Sequence, residues 1–221
     1  MPRPTTKDRY HHGDLRAALL DAAEAELRAH GVEGFTLRGC ARRAAVSHAA
    51  PAHHFGDARG LLTALAAIGY QRFLATQARR KQGAAPDAQA QLVAAGLGYI
   101  DFARANPALF RLIFASDRPD RDDQALCAAA RAAFSQLVTG VAAVLGANPE
   151  ASAEGRAMVA SSWAIVHGMA DLAITSRLPY LPQGDAAGEE AMLREILVRH
   201  LLPPAPGQTR TAALAPPPPG T

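Results

Sequence analysis

Residues 36–57 read TLRGCARRAAVSHAAPAHHFGD. Whether this stretch binds a metal or forms a docking element decides how the rest of the chain is read. Two short helical segments, TLRGCARRAA and SHAAPAHHF, are joined by little more than Ala45-Val46-Ser47. That is the layout of a helix-turn-helix, with a support helix, a tight turn and a second helix delivered into the DNA major groove. Helices this short do not stand alone, so Leu37, Cys40, Ala41, Val46 and Phe55 must pack on flanking helices. Ser47 suits an N-cap, which leaves His48 and Ala49 at the end where base contacts are made. The competing metal reading fails on helical phase. At about 100° per residue, His48 stands roughly 140° from His53 and roughly 120° from His54. His53 and Asp57 have i, i+4 spacing, but Gly56 interrupts the helix between them. No metal site is expected. Imidazoles can instead donate to phosphate oxygens or contact base edges.

Outward from this stretch, hydrophobic spacing near 3.6 recurs along the 221 residues and strand-like alternation is absent, so the fold class is all-α. Leu15, Leu19, Ala22 and Leu27 form a first stripe that ends at Gly31. Leu61, Leu65, Ile68 and Phe73 mark a longer helix ending in Arg79-Arg80-Lys81, and Gly83 and Pro86 then break the chain. Beyond lie a face of Leu92, Ala95, Tyr99 and Phe102, a short apolar helix PALFRLIFA, and a stripe of Leu126, Ala130, Phe134, Leu137 and Val141. The uncharged run from Ala132 to Pro149 has membrane-like length but contains Ser135, Gln136, Thr139 and Asn148, and it reads as a buried helix. A segment from about Pro149 to Thr175 carries Met158, Ile165, Met169 and Leu172 on one face and Trp163, Ala170 and Ile174 on another. A helix apolar on two faces sits between two partners, here its own core and a second subunit. A final helix, EEAMLREILVRHLL, precedes a tail from Pro203 that holds seven of the sixteen prolines and is expected to be disordered.

These breaks divide the chain into an N-terminal arm and helix-turn-helix domain (1–58), a connecting helix (59–82), a C-terminal bundle (83–202) and the tail (203–221). Residues 1–82 carry 13 Lys+Arg against 7 Asp+Glu and six of the eight histidines, whereas the remainder carries 10 against 13. A basic first third points to a polyanion, although a solvated charged surface gives the same count. The two cysteines, Cys40 and Cys127, make no disulfide framework, and the N-terminus lacks a signal-peptide core, so an intracellular protein is expected. No Ser-His-Asp, Cys-His or carboxylate pair has recognisable spacing. Neither an enzymatic activity nor a cofactor is expected.

YHHGDLRAALLDAAEAELRAHGVEGFTLRGCARRAAVSHAAPAHHFGDARGLLTAL resembles the N-terminal DNA-binding domain of TetR/AcrR-type transcriptional regulators over about residues 10–65. The resemblance rests on the glycine-bounded first helix, Thr-Leu-Arg, the Val-Ser turn, His-Phe, and Asp followed by Leu-Leu, in that order. NPALFRLIF and SWAIVHGMADL resemble the ligand-binding domain of a branch named for a Trp-His-Gly signature, here Trp163, His167 and Gly168. The family implies a cytoplasmic homodimer, joined through the last two long helices. It implies repression at a double-stranded palindromic operator, and release by a small effector. It also implies that Thr36 and Arg38 contact phosphates and that Arg9 and Tyr10 reach the backbone. Ser47, His48 and Ala49 then stand at the reading end of the recognition helix, and His53 and His54 at its groove-facing end. For Arg38, Arg42 and Arg43 a solvated helix face stays open, as does a packing role for Tyr10 and Phe55. A tyrosine is usual where Ala52 stands and a lysine where Ala58 stands, so two phosphate contacts are missing, with His53 and Arg59 as substitutes. A relative with weakened DNA binding, acting as a ligand-binding or protein-interaction module, is the alternative. The histidine cluster predicts tighter DNA binding near pH 6 than near pH 8, because imidazolium pairs better with phosphate.

For the effector, the facing sides of the bundle helices offer Tyr99, Phe102, Phe110, Phe114, Cys127, Phe134, Met158, Trp163 and His167. Ordinary core is the leading alternative for each of them, above all for the phenylalanines and Met158. His167 is either a ligand contact or a histidine hydrogen-bonded across the bundle. The apolar lining points to a hydrophobic or aromatic effector and to no membrane partner.

Overall fold

The computed structural model describes residues 15–178, 181–182 and 184–202. These residues form α-helices and one 3₁₀ turn, with no strand among them. The helix starts follow from polar residues placed to cap them. Thr36 caps α2 (Leu37–Arg43), Asp57 caps α4 (Ala58–Gln82), Asp87 caps α5 (Ala88–Ala105) and Asp123 caps α7 (Gln124–Leu145). Ser152 and Asp185 do the same for α8 (Ala153–Ile174) and α9 (Ala186–Leu201). In every case the side-chain oxygen accepts the backbone N–H three residues on, which satisfies one of the first-turn donors that a helix leaves unpaired. α1 (Leu15–His30) stops at Gly31, and α3 (Ala50–Phe55) stops at Gly56, both at positive φ. α6 (Pro107–Phe114) begins with proline in its first turn, where the missing N–H costs nothing.

α4 is the spine. Its first half closes the small unit made by α1, α2 and α3, and its second half packs along α5. The α4–α5 contact is close because residue 98 is glycine. A Cβ there would lie 2.7 Å from the Cα of Gln77. α5 is in turn covered by α8, α7 and α9, and α6 wedges between α1, α4 and α5. The core therefore runs continuously from Leu27, Cys40 and Leu61 in the small unit to Phe102, Phe110 and Leu197 in the bundle. The arm residues Arg9 and Tyr10 and the proline-rich tail lie outside the described residues.

Three details differ from the sequence reading. α3 starts at Ala50, with Ala49 at the cap position and no side-chain cap bond. Ser47 sits one turn earlier, where its carbonyl accepts the Ala50 N–H at 3.1 Å. The run around Ala132 is a helix but not a buried one, since only Leu126 and Val141 of α7 are buried in the chain. α7 and α8 are both long and apolar enough to cross a membrane by length and composition, yet α7 walls a cavity on one side and is open on the other. In α8 the buried stripe is Gly155, Val159, Ser162, Val166 and Ala170. It runs between the two apolar faces read from the sequence and leaves Trp163 and Leu172 exposed.

Candidate functional site

The small unit is organised around a carboxylate. Glu26 lies on the inner face of α1, where Ala22, Ala23 and Leu27 are also buried, and only 2% of its surface is exposed. Its oxygens accept Arg43 Nε at 2.6 Å and Thr36 Oγ1 at 3.3 Å, and His30 Nδ1 lies 3.3 Å away. Burial by itself raises the carboxyl pKa, but the hydrogen bond from Arg43 and the nearby charges of His30 and Arg43 outweigh it, holding Glu26 below the usual carboxylate range. The acid fits against α2 only because position 39 has no side chain. A Cβ on Gly39 would meet Glu26 Oε1 at 1.8 Å. Glu26 thus ties α1 to both ends of the support helix. Cys40, beside it, is a packing residue, its thiol pushed up to about 11 by burial and by Glu26.

From this base the turn Ala44–Ala49 delivers α3. Ala45 occupies the left-handed region at φ +54, uncommon for a residue with a Cβ. α3 is pinned by Pro51, which is buried, and by Phe55, whose ring carries the Arg16 guanidinium at 5.1 Å. The outer surface consists of Ser47, His48, Ala49, Ala52, His53 and His54, all exposed. The His53 and His54 rings lie 5.5 Å apart, edge to face. Among the described residues no group of three or more His, Cys, Asp or Glu side chains is placed to hold a metal ion. Thr36 is exposed, but its hydroxyl is engaged by Gly39 N and Glu26. Arg38 and Arg42 are exposed beside it, whereas Arg43 is turned inward onto Glu26. Arg59, in the first turn of α4, pairs with Asp120 at 3.0 Å rather than facing solvent alone.

A cavity of about 1310 Å³ opens in the bundle between α4, α5, α7 and α8. Its inner end is aromatic. Phe73 meets Tyr99 at 4.9 Å and Phe114 at 5.7 Å, and Tyr70 meets Phe114 at 5.7 Å. Phe134 and Trp163, also in the lining, stand 6.2 Å apart and about half exposed. Tyr99, Phe114, Phe134 and Trp163 of the residues named from sequence line this space. Phe102 and Phe110 instead fill the core, and Cys127 Sγ is bonded to the Arg121 carbonyl at 2.9 Å. Met158 packs at the core margin. His167 is joined to Tyr99, Nδ1 to phenol oxygen at 2.8 Å, and stacks on Phe110 at 5.2 Å. Burial lowers the His167 pKa, against a weaker opposing pull from Asp171, and desolvation raises that of the Tyr99 phenol. The pair is therefore neutral near pH 7.

Several contributors were not anticipated. Glu26 and Gly39 are one such pair, and the only sequence sign of them is an acid inside an apolar stripe. Tyr70, Phe73 and Gln77 on α4 are others, because the helix was read as a connector rather than a cavity wall. The segment between α6 and α7 is a third. Asp120 N donates to Thr63 Oγ1 at 2.7 Å, and Arg118 reaches Glu33 at 3.6 Å, so this loop clasps the helix-turn-helix end of the molecule.

Residues 19–65 match the family model described as bacterial regulatory proteins, tetR family, and residues 92–196 match a tetracyclin repressor-like C-terminal domain. A protein of unknown function from Rhodococcus sp. RHA1 is 32% identical. The match covers 87% of this chain and 98% of that one, with a TM-score of 0.71. A TetR-like transcriptional regulator from the same Rhodococcus is 16% identical, with 91% and 98% covered and a TM-score of 0.56. The multidrug binding protein EbrR complexed with imidazole is 19% identical, with 93% and 99% covered and a TM-score of 0.56. No curated protein matches the chain. With a helix-turn-helix at one end of α4 and a ligand-binding domain at the other, the chain belongs to the tetR family of bacterial regulatory proteins and is a transcriptional regulator.

Proposed function

We propose that the protein is a homodimeric repressor that works in the cytoplasm, binds a palindromic operator and leaves it when a small apolar effector enters the bundle. The observation that carries this reading is that α4 serves both ends. Its first turns brace α3, and its later turns supply Tyr70, Phe73 and Gln77 to the cavity wall. A ligand that favours a different packing of α4 against α5 and α7 changes the tilt of the helix that holds α3. In a dimer the two recognition helices must lie about one helical turn of DNA apart, so a change of tilt spoils the spacing. The effect is limited to the ligand's differential affinity for the two arrangements.

We assign the units as 1–58 for DNA binding, 59–82 as the connector and 83–202 for ligand and dimer contacts, and place the chain in the Trp-His-Gly branch through Trp163, His167 and Gly168. His48, Ala49, His53 and His54 are the base- and groove-facing positions, with Thr36, Arg38, Ser47 and Arg59 at the phosphates. Dimerisation uses α8 and α9, where Leu172, Met192 and Val198 remain 37%, 36% and 41% exposed. Apolar side chains this open on adjacent helices suit a partner surface. Footprinting on the DNA upstream of the protein's own gene tests the reading. A protected inverted repeat, lost on adding an apolar ligand, is expected, and no protection at any upstream site at low salt overturns it.

A second reading, a regulator with weakened DNA contact that works mainly through its ligand domain, is favoured by alanine at positions 52 and 58 and by the Arg59–Asp120 pair. It predicts ligand-induced thermal stabilisation without a footprint.

A further inference from the structure

The shape and charge of the cavity narrow the effector further. This step rests on the cavity being the effector site. The space is a slot rather than a sphere. On α4 it is lined by Tyr70, Phe73, Gln77 and Lys81, which share one helical face. The eleven steps from Tyr70 to Lys81 span about 16 Å at 1.5 Å per residue. Antiparallel to it, α5 contributes Gln91, Leu92, Ala95 and Tyr99.

The two ends of the slot differ in kind. At the inner end Tyr70, Phe73 and Tyr99 are 6%, 4% and 6% exposed. The Tyr99 hydroxyl is occupied by His167, and no charged residue belongs to the lining at that end, the Arg121 guanidinium beside the Tyr70 hydroxyl lying outside it. Halfway along, Gln136 donates its amide to Gln77 Oε1, so these two polar side chains satisfy each other. The outer end holds Lys81 in the last turn of α4, with Pro86, Ala88 and Gln91 around it. The charged residues of the whole lining are Lys81, Arg131 and Glu150. Neither cation has an ion-pair partner among the described residues. With two cations against one carboxylate, Glu150, in the lining and no carboxylate in the lining at the aromatic end, the slot disfavours lipophilic cations. It also exceeds what a compact neutral ring system would fill. We propose that the cavity takes an elongated amphiphile, an apolar chain lying on the aromatic end with a single anionic head group at Lys81.

Trp163 is the only tryptophan in the chain and lines the slot, so its fluorescence reports occupancy directly. The test titrates the full-length protein with three probes of equal chain length, all below their aggregation concentrations: sodium dodecanoate, dodecanol and dodecyltrimethylammonium. Dodecanoate is expected to saturate the signal about tenfold more tightly than dodecanol, the gain of one charge-assisted contact, with the cation weakest. Lys81→Glu is expected to reverse the order of the two charged probes and to change dodecanol least of the three, whereas Arg131→Glu is expected to preserve the wild-type order. Dodecanol saturating as tightly as dodecanoate, or the cation binding best, overturns the anionic head while leaving an apolar effector site intact. Reversal by Arg131→Glu instead of Lys81→Glu overturns the placement of the head. If all three chains fail while planar aromatic compounds change Trp163 emission, the elongated shape falls and the effector site stands. If nothing changes the emission, both fall.

Discussion

The two ends of α4 are held by opposite means. At the DNA-binding end a buried carboxylate, Glu26, collects Arg43, Thr36 and His30 and presses onto a glycine on α2. At the bundle end Phe73, Tyr99, Phe110 and Phe114 meet ring to ring beside an open slot. The difference matches the two tasks. Hydrogen bonds to a charge are directional, and losing one leaves a buried group unsatisfied, so they fix α2 and the turn after it in one orientation. Aromatic contacts are individually weak and tolerate several arrangements, which lets a cavity wall shift when something enters it.

Breaking the rigid end should have the largest effect. Gly39→Ala would drive a methyl into Glu26 Oε1, so either the carboxylate is expelled from its partners or α2 moves away from α1. A loss of about 3 kcal/mol of unfolding free energy is expected in urea melts, combining overpacking with a disrupted ion pair. Ligand-induced changes in Trp163 emission should survive in whatever fraction stays folded. If this variant melts with the wild type, the lock is not holding the unit.

The two ends also separate by pH. Burial pushes the Glu26 carboxyl up, but the Arg43 hydrogen bond and the nearby charges of His30 and Arg43 hold it below the ordinary carboxylate value of 4.5. Its contribution is therefore complete above about pH 4.5 and is lost as pH falls through the lower folded value. His167 is held below 6.5 by burial. The stability gained by keeping it neutral is present above that value and declines as pH falls through its own lower folded value. Urea midpoints measured from pH 7.5 to pH 3.5 should thus drop in two stages, the first belonging to His167 in the bundle and the second shared by Glu26 with the arginine-paired Glu24 and Glu190. His167→Gln should remove the first stage. Glu26→Gln should shrink the second without abolishing it and cost about 2 kcal/mol at pH 7, because Arg43 loses a charged acceptor. A single stage that neither substitution alters would show that the ends do not titrate separately.

A gain rather than a loss is expected at Ala45. Its φ of +54 costs an alanine what a glycine escapes. Ala45→Gly should raise unfolding free energy by about 1 kcal/mol, less the extra chain entropy of glycine, and should leave the α3 surface in place. Equal or lower stability would mean that the turn between α2 and α3 is not strained.

The helix-turn-helix was legible because its signals are local. Thr36, Gly31 and Gly56 mark helix ends by their own hydrogen-bonding capacity or φ range, and the chain shows them directly, whereas Asp57 reads as the close of α3 although it caps α4. Ser47 misled by a few residues because a hydroxyl ahead of a helix suits more than one turn geometry. The lock was not legible. Glu26 lies 17 residues from Arg43 and looks like one more solvated acid on α1. In the bundle, helical phase identified apolar faces but not which partner covers each. Of the candidates, Phe102 and Phe110 therefore belong to the core, while Tyr70 and Phe73 on α4, which were not among them, line the cavity. The exposure of α7 escaped for the same reason, since a run without charges does not say what lies against it.

The smallest expected effect lies where the two ends meet. Asp120, in the loop leading into the cavity helix α7, holds Arg59 at 3.0 Å, while its backbone N–H is fixed by Thr63. Both partners of the ion pair are about half exposed, so the pair adds little stability, and Asp120→Ala should change the unfolding free energy by less than about 0.5 kcal/mol. Its effect on DNA should be the informative one. With the carboxylate gone, the guanidinium is free to meet a phosphate, and the slope of log affinity against log salt for a nonspecific duplex should steepen by about 0.9. Adding Arg59→Ala should cancel the gain. An unchanged slope in Asp120→Ala would mean that Arg59 does not reach the backbone. The rigid end would then bind DNA without help from the loop that the cavity helix controls.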